Sequence, residues 1–450
     1  MTGVFSMPRG EDTLRPFAGE ERLEKAMSVK LAIGGGSQTV PEGMVKSWPP
    51  ISDEDKQAVL AVMDSDHLHG TGAPQAVAFQ EEWAEYVGAK FCLVTNSGTS
   101  ALHMAVAAAG LKPGDEVIVP AYTYWSTAAA VLHHNCIPVF ADIERETFTL
   151  DPSAIEEKIS EHTKALLPVH VHGMPADMDA INAIAKKHGL IVIEDACQAH
   201  GAEYKGRKTG VLSDAAGFSL NRSKNLTACE GGLYTTDNEE VHRYASMMRE
   251  FGEVIIPGRQ REYNAYTLGW MYRTIEFANA FGRSQLRRLD QHNSQRTELA
   301  EYLNRELARI PGVEPVARPD DRKPVYWIYV LNFRPDQLGL DVPLNQFREA
   351  AEKALRAEGV PIGQWQRMPV PAQDVFQTAE GYGGGCPWTC RFGRKVEYRG
   401  EDYPNTLRFL ESHSCVSGVY PPNTMDLMRL YVQAFEKVLS KGGDLLKVAK

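Results

Sequence analysis

The sequence predicts an α/β fold: a large domain on a mostly parallel sheet, followed by a smaller C-terminal α+β domain. Three observations carry that expectation. From residue 91 onward, short runs rich in β-branched residues alternate with helical runs. Those short runs are apolar throughout rather than alternating, as strands covered on both faces are. Near residue 310 the alternation stops and the character of the chain changes. With 450 residues, 43% apolar and 24% charged, the composition is that of a globular protein with a large core.

In order, the first 45 or so residues are irregular and punctuated by glycine and proline, as at Gly34, Gly35, Gly36 and Pro41. Ser52 is placed to cap a helix carrying Val59, Leu60 and Met63. Strand Phe91–Thr95 precedes helix Ser100–Ala109, and strand Val117–Pro120 precedes helix Ser126–Leu132. Ile137–Phe140, Ala165–Val169, Leu190–Ile193, Ala216–Leu220 and Gly232–Thr236 complete the strand-like runs, with a helix over Met178–Lys187. A long helical stretch, Thr274–Leu307, leads into the second domain. There Tyr326–Asn332 is expected as a strand, with helices over Leu344–Glu358 and Met425–Ser440. Pro369–Arg399, rich in Gly, Pro and aromatic residues, is expected as a functional or mobile loop. The division is residues 1–45 as an N-terminal extension, 46–295 as the large domain and 296–450 as the smaller one.

Lys plus Arg is 48 and Asp plus Glu is 58, a net charge of −10. An acidic chain repels phosphate backbones and anionic lipid, so neither nucleic acid nor a membrane surface is expected as a partner. The seven cysteines are scattered, with no CxxC, which points to reduced thiols rather than a disulfide framework or zinc ribbon. The first 16 residues lack an apolar signal-peptide core, and no run approaches the length of about 18 apolar residues that spans a bilayer. A cytoplasmic protein is expected.

Ligands of open α/β sheets bind at the carboxyl ends of strands, and four strand ends here carry suggestive residues. Asn96 to Leu102 places Gly98, Thr99 and Ser100 where a helix starts, either a phosphate cradle or a tight turn with an ordinary cap. Tyr122, Tyr124 and Trp125 follow the next strand and either stack on a flat ring or pack the domain. Asp195 ends a buried strand, where it either caps the next helix or pairs with a protonated ring nitrogen. Lys224 follows another buried strand beside Arg222 and precedes a glycine pair. It is either a surface-loop lysine or a partly desolvated amine of lowered pKa, able to form an imine. Phosphate cradle, stacking aromatic, buried Asp and imine-forming Lys are together the set required by pyridoxal 5′-phosphate.

On these residues the sequence resembles the DegT/StrS family of sugar and aminocyclitol aminotransferases, which are fold-type I, aspartate aminotransferase-like enzymes. The resemblance runs from about Trp48 to Asp290 and more loosely beyond. It rests on Asn96–Leu102, Val119–Tyr124, Pro168–His170, Glu194–Gly201, Phe218–Gly232 and Leu268–Arg273. It implies that Lys224 binds the aldehyde of pyridoxal phosphate and that Asp195 pairs with its pyridine nitrogen. It further implies that Gln198 meets the phenolic oxygen, that Tyr124 stacks on the ring, and that Gly98, Thr99 and Ser219 hold the phosphate. The family commonly has Asn where Met271 stands, reaching the neighbouring subunit's cofactor; Cys229 stands where Gly is usual, and His172 where Tyr is common.

The activity implied is transfer of an amino group from glutamate or glutamine to a keto sugar or keto cyclitol such as an inosose, by a homodimer. The Gly381–Cys390 loop is similar to that of members acting on cyclitols, and it is expected, with the small domain, to line the acceptor pocket. Related alternatives are a dehydratase with histidine in place of the lysine, which Lys224 argues against, and an aminohydroxybenzoate synthase, which keeps the lysine. A silent regulator on the same scaffold would be expected to lose Lys224 or Asp195. His170 and His172 have no acidic or cysteine partners at ligand spacing, so site-lining or core roles are expected rather than a metal site.

Overall fold

Seven strands, Phe91–Thr95, Glu116–Pro120, Ile137–Ala141, Thr163–Leu166, Ile191–Asp195, Ala215–Ser219 and Gly232–Thr236, form one sheet in the computed structural model, which describes residues 29–448 apart from 69, 71 and 257. By first residue, their order across the sheet is 91, 232, 215, 191, 163, 116, 137. The pairs are parallel except the two made by Gly232–Thr236, which runs against both neighbours. Val117 and Val119 enter one core with Leu93, Ala105 and Val131, while Ile118 enters the opposite core with Leu166, Ile181 and Val192. Both faces are covered, which is why these runs carry no period of two.

Helix Gly98–Ala108 is buried at every residue but Thr99, so its sequence is apolar almost all round. A second sheet pairs Val313–Pro315, Tyr329–Phe333, His413–Val416 and Ile362–Gly363 in that order, all antiparallel. Its core joins Leu299 and Leu303 of helix Leu289–Leu307 to Phe347, Tyr431 and Phe435. Leu31 and Val40 belong to that core as well. Buried Glu358 ties their segment down, accepting from Ala32 N (2.8 Å), Thr39 Oγ1 (2.7 Å) and Lys437 Nζ (2.7 Å). Residues 1–28 of the expected N-terminal extension lie outside the described residues. No helix among the described residues is long and apolar enough to cross a membrane.

Three expectations are corrected. The long helix Thr274–Leu307 is two, Glu276–Leu286 and Leu289–Leu307. Between them Arg288 leaves helical dihedrals (φ −113°, ψ 3°) and its Nη2 donates to both carboxylate oxygens of buried Asp55 (2.8 and 2.7 Å). The strand expected from Tyr326 starts at Tyr329, because Tyr326 takes a positive φ of 46° and Trp327 N donates back to His172 O (3.0 Å). The loop Pro369–Arg399 carries a short helix, Asp374–Thr378, and is strapped to the large sheet. Trp388 is buried, and its Nε1 donates to Tyr398 Oη (2.9 Å), which donates to Pro138 O (2.9 Å).

Phe218 has no exposed surface and meets Trp83 edge-on at 5.0 Å beneath the strand that ends in Ser219. Phe218→Ala is expected to cost about 3–5 kcal/mol in urea unfolding. A loss below about 1 kcal/mol would contradict the core described here.

Candidate active site

A cavity of about 360 Å³ opens at the carboxyl ends of the parallel strands, and Gly98, Thr99, Tyr124, Asp195, Gln198, Ser219 and Lys224 all line it. The seven residues singled out in the sequence are thus brought to one place. Four strand ends carry them, after Phe91–Thr95, Glu116–Pro120, Ile191–Asp195 and Ala215–Ser219, and of these strands the last two are adjacent in the sheet.

Ser97, in extended conformation, caps helix Gly98–Ala108 by accepting from Ser100 N (3.1 Å). The amides of Gly98 and Thr99 lie in the first turn, where no intrahelical acceptor exists, and a helix start of this kind favours an anion. A Cβ at position 98 would come within 2.7 Å of Ser219 Cβ and 2.9 Å of Cys197 Sγ. Only glycine lets the helix begin this close to the strand end. Thr99 Oγ1 donates to Ser126 Oγ (2.9 Å), and Ser219 Oγ accepts from Asn221 N (3.3 Å).

Asp195 is buried at the end of its strand. Oδ2 accepts from Thr127 Oγ1 (2.7 Å) and Oδ1 from Cys197 N (3.1 Å), and no ion pair reaches it among the described residues. Thr123 Oγ1 lies 2.9 Å from the same threonine hydroxyl; with the Thr127 hydrogen directed at the carboxylate, Thr123 is the donor and Thr127 the acceptor of that pair. Gln198 accepts from His172 N at Oε1 (2.7 Å), which leaves its Nε2 hydrogens for the cavity it lines.

Lys224 is pinned through its backbone. Its amide donates to Asn221 O (2.9 Å) and its carbonyl accepts from Trp48 Nε1 (3.0 Å). The amine lies 3.6 Å from the centre of the Trp327 ring, whose own Nε1 donates to Ser223 O (2.8 Å). Burial pulls the Lys224 pKa down to about 8, against the opposing pull of Cys197 and Asp195. At pH 7 such an amine is neutral in about a tenth of molecules, against less than a thousandth for an ordinary lysine. Tyr124 is 52% exposed and its ring lies 6.5 Å from that of Trp365 at 25°, with Trp365 edge-on to Trp327 at 5.3 Å.

The two histidines belong to the interior. His170 accepts from Ala176 N at Nδ1, so its Nε2 carries the proton and donates to Glu194 (2.9 Å), both fully buried. His172 pairs with Tyr122 Oη (2.9 Å), and burial holds its pKa well below the usual range. Glu230 accepts from Asn221 Nδ2 (2.8 Å) on the cavity wall. None of Gly381–Arg391 lines the cavity within this chain. Sequence reasoning missed Thr127, Ser126, Trp327 and Trp365. Their positions after strands or in small-domain turns carried no distinguishing residue pattern.

The depressed Lys224 pKa is directly measurable. In competitive acetylation the neutral amine is the reactive form, so labelling of Lys224 should rise with pH to half its maximum near pH 8. A midpoint near the ordinary lysine value, about 10.4, would contradict the desolvated setting.

Known proteins place this geometry. Residues 49–396 match the DegT/DnrJ/EryC1/StrS aminotransferase family. The chain is 39% identical to a dTDP-3-amino-3,4,6-trideoxy-alpha-D-glucose transaminase of Streptomyces venezuelae over 354 residues, 78% of this chain and 87% of the relative. It is 35% identical to an L-glutamine:2-deoxy-scyllo-inosose aminotransferase of Streptoalloteichus tenebrarius over 350 residues, 75% of this chain and 81% of the relative. Among solved structures, a 3-amino-5-hydroxybenzoic acid synthase superimposes with a TM-score of 0.77 at 26% identity, covering 90% of this chain and 99% of that one. The match spans all seven strands of the large sheet and every residue lining the cavity, and the chain belongs to the DegT/DnrJ/EryC1/StrS aminotransferase family.

Proposed function

We propose that this protein is a pyridoxal phosphate-dependent aminotransferase that moves an amino group from glutamate or glutamine to the ketone carbon of a keto sugar or keto cyclitol, in amino-sugar or aminocyclitol biosynthesis. One observation carries the reading: a buried carboxylate with no ion pair among the described residues and a lysine of depressed pKa face one cavity, beside the first-turn amides of helix Gly98–Ala108. A buried carboxylate in that state calls for a cation, and a protonated pyridine nitrogen is one. The relatives named for transfer to an inosose and to a deoxysugar support the substrate class.

The residues present fit the cofactor. The Gly98 and Thr99 amides, with the Thr99 and Ser219 hydroxyls, would hold its phosphate; Asp195 would take the ring nitrogen, Gln198 Nε2 the phenolic oxygen and Tyr124 the ring face. Pyridoxal phosphate supplies, when bound, an aldehyde to carry the amino group and a ring that withdraws electrons from the reacting carbon. Lys224 Nζ takes the proton from the donor's Cα in the first half-reaction and returns one to the acceptor's ring carbon in the second. Its pKa near 8 keeps both the accepting and the donating form populated around neutral pH. Asp195, oriented by its hydrogen bonds from Thr127 and the Cys197 amide, would hold the nitrogen's proton in place. Trp327 and Trp365 add apolar surface to the cavity wall.

A homodimer is part of the same reading. Tyr263 and Leu268, 77% and 82% exposed, lie with Phe251, Met271 and Ile275 in one stretch of uncovered apolar side chains, the kind of patch that marks an interface. A cytoplasmic location fits the reduced thiols expected from the sequence. The likeness to a 3-amino-5-hydroxybenzoic acid synthase favours one rival, a dehydrating synthase on the same site.

A half-reaction screen separates the two. Protein loaded with pyridoxamine phosphate should regain the pyridoxal absorbance on addition of a keto cyclitol or keto sugar, with one amine formed per site. Loss of water from an aminated ring without net amino transfer would favour the synthase. Lys224→Ala is expected to abolish both the visible absorbance of the bound cofactor and turnover, and retained transamination would refute the assignment. Asp195→Asn should still bind cofactor but turn over about 10²–10³-fold more slowly, the scale of removing one preorganised electrostatic partner.

A further inference from the structure

Four arginines among the described residues are nine-tenths or more buried: Arg249, Arg296, Arg322 and Arg348. Three are surrounded by oxygens. Arg249 donates to Gln80 Oε1 (2.8 Å) and Val94 O (3.0 Å), Arg322 lies 3.4 Å from Asp177 and 3.7 Å from Glu144, and Arg348 donates to Glu352 (3.2 Å) and Glu411 O (3.1 Å). Arg296, 1% exposed, has no such partner among the described residues. Its guanidinium carbon lies 4.2 Å from the centre of the Trp48 ring and 5.2 Å from that of Tyr420, and its Nε is buried without an acceptor. Taking a guanidinium out of water without acceptors is costly. Burial already lowers its pKa to about 9. The two aromatic faces compensate only part of that loss.

Arg296 lines an outer cavity of about 640 Å³ that shares Asn221, Ser223, Glu230 and Trp327 with the cavity containing Lys224. Trp48 stands between the two basic residues. Its ring covers the Arg296 guanidinium, while its Nε1 holds the Lys224 carbonyl at 3.0 Å. The unpaired cation is therefore one indole away from the lysine's backbone, in a cavity that shares four wall residues with the one holding Lys224. A planar fork flanked by two rings suits a planar carboxylate, which it can take with two parallel hydrogen bonds. A diphosphate fits poorly, because only Arg222 adds positive charge to that cavity and Glu230 adds an opposing negative one.

We propose that Arg296 is the positioning residue for the amino donor, binding a carboxylate of the donor amino acid and of the 2-oxo acid it becomes. This rests on the aminotransferase reading above for the identity of the ligand, though the anion site itself stands on the buried, unpartnered guanidinium.

The test uses the full-length holoenzyme and a binding measurement that needs no turnover. Arg296→Gln is expected to raise the donor KM at least about tenfold, as loss of a charged bidentate contact does, while the acceptor KM moves less than about twofold. Arg296→Lys, which keeps the charge but not the fork, should fall between. Because Trp48 lies on the guanidinium, 2-oxoglutarate should quench tryptophan fluorescence in the wild type, glutarate should compete and glutaramide should not. An Arg296→Gln protein with wild-type circular dichroism and an unchanged donor KM would overturn the proposal. Should that variant not fold, wild-type quenching that glutaramide displaces as well as glutarate overturns it equally. Arg296-dependent binding of 2-oxoglutarate in a protein that aminates no ketone would remove the aminotransferase reading and keep the anion site. A working transaminase indifferent to Arg296 would do the reverse.

Discussion

The Asp195 carboxylate is held out of water at the end of a parallel strand by the Thr127 hydroxyl and the Cys197 amide, with no cation within ion-pair reach among the described residues. Desolvation makes an ionised carboxylate expensive in such a place, and hydrogen bonds alone offset part of it. The neighbouring features follow from this one demand. The strand end is fixed on both sides: Asp195 N donates to Pro168 O (2.9 Å) and His170 N to Asp195 O (3.0 Å) on one, and Ala196 N donates to Gly217 O (2.9 Å) on the other. Lys224 lines the same cavity, and burial brings its pKa down to about 8, into the working range. Left in water it would be an ordinary lysine.

Closure of the site comes from outside the large sheet. Trp48 precedes it in the chain, and Trp327 and Trp365 follow it, yet all three converge on the segment holding Lys224. Trp327 is positioned by a turn rather than a strand. Val325 N donates to Gly173 O (3.0 Å) and Trp327 N to His172 O (3.0 Å), so the smaller sheet's leading residues are hydrogen-bonded to the loop after the Thr163–Leu166 strand. Gln198 Oε1 accepts from the backbone N of the same residue, His172, at 2.7 Å. The turn leading into the smaller sheet and the side chain of Gln198, which lines the cavity, are thereby anchored on one residue.

Much of this was legible in the sequence, for identifiable reasons. Strands buried on both faces show as unbroken apolar runs, and the groups that end them, Asp195 and Lys224 among them, are chemically unusual for such positions. Gly98 was readable because a helix start packed against a strand end leaves no room for a Cβ. Other features left no local trace. Thr127 is one hydroxyl in the first turn of a helix, where Ser and Thr are common for capping alone. The break at Arg288 involves neither Gly nor Pro and depends on Asp55, more than two hundred residues away in the chain. The positive φ of Tyr326 lies between two backbone bonds to the large domain, Val325 N to Gly173 O and Trp327 N to His172 O. Helix Pro74–Val87, with Phe79 and Trp83 fully buried, opens on Ala73 with no side-chain cap to mark its start. Arg296 sits in a helix crowded with charge, and only its surroundings distinguish it.

The central claim is that Asp195 keeps a bound pyridine nitrogen protonated in a site whose base is Lys224. It is tested most directly by the ¹⁵N chemical shift of ring-labelled pyridoxal phosphate bound to the protein. The account predicts a protonated nitrogen throughout the neutral range in the wild type and its loss in Asp195→Asn. A wild-type nitrogen that is unprotonated at neutral pH, or a shift indifferent to the Asp195 substitution, would contradict it.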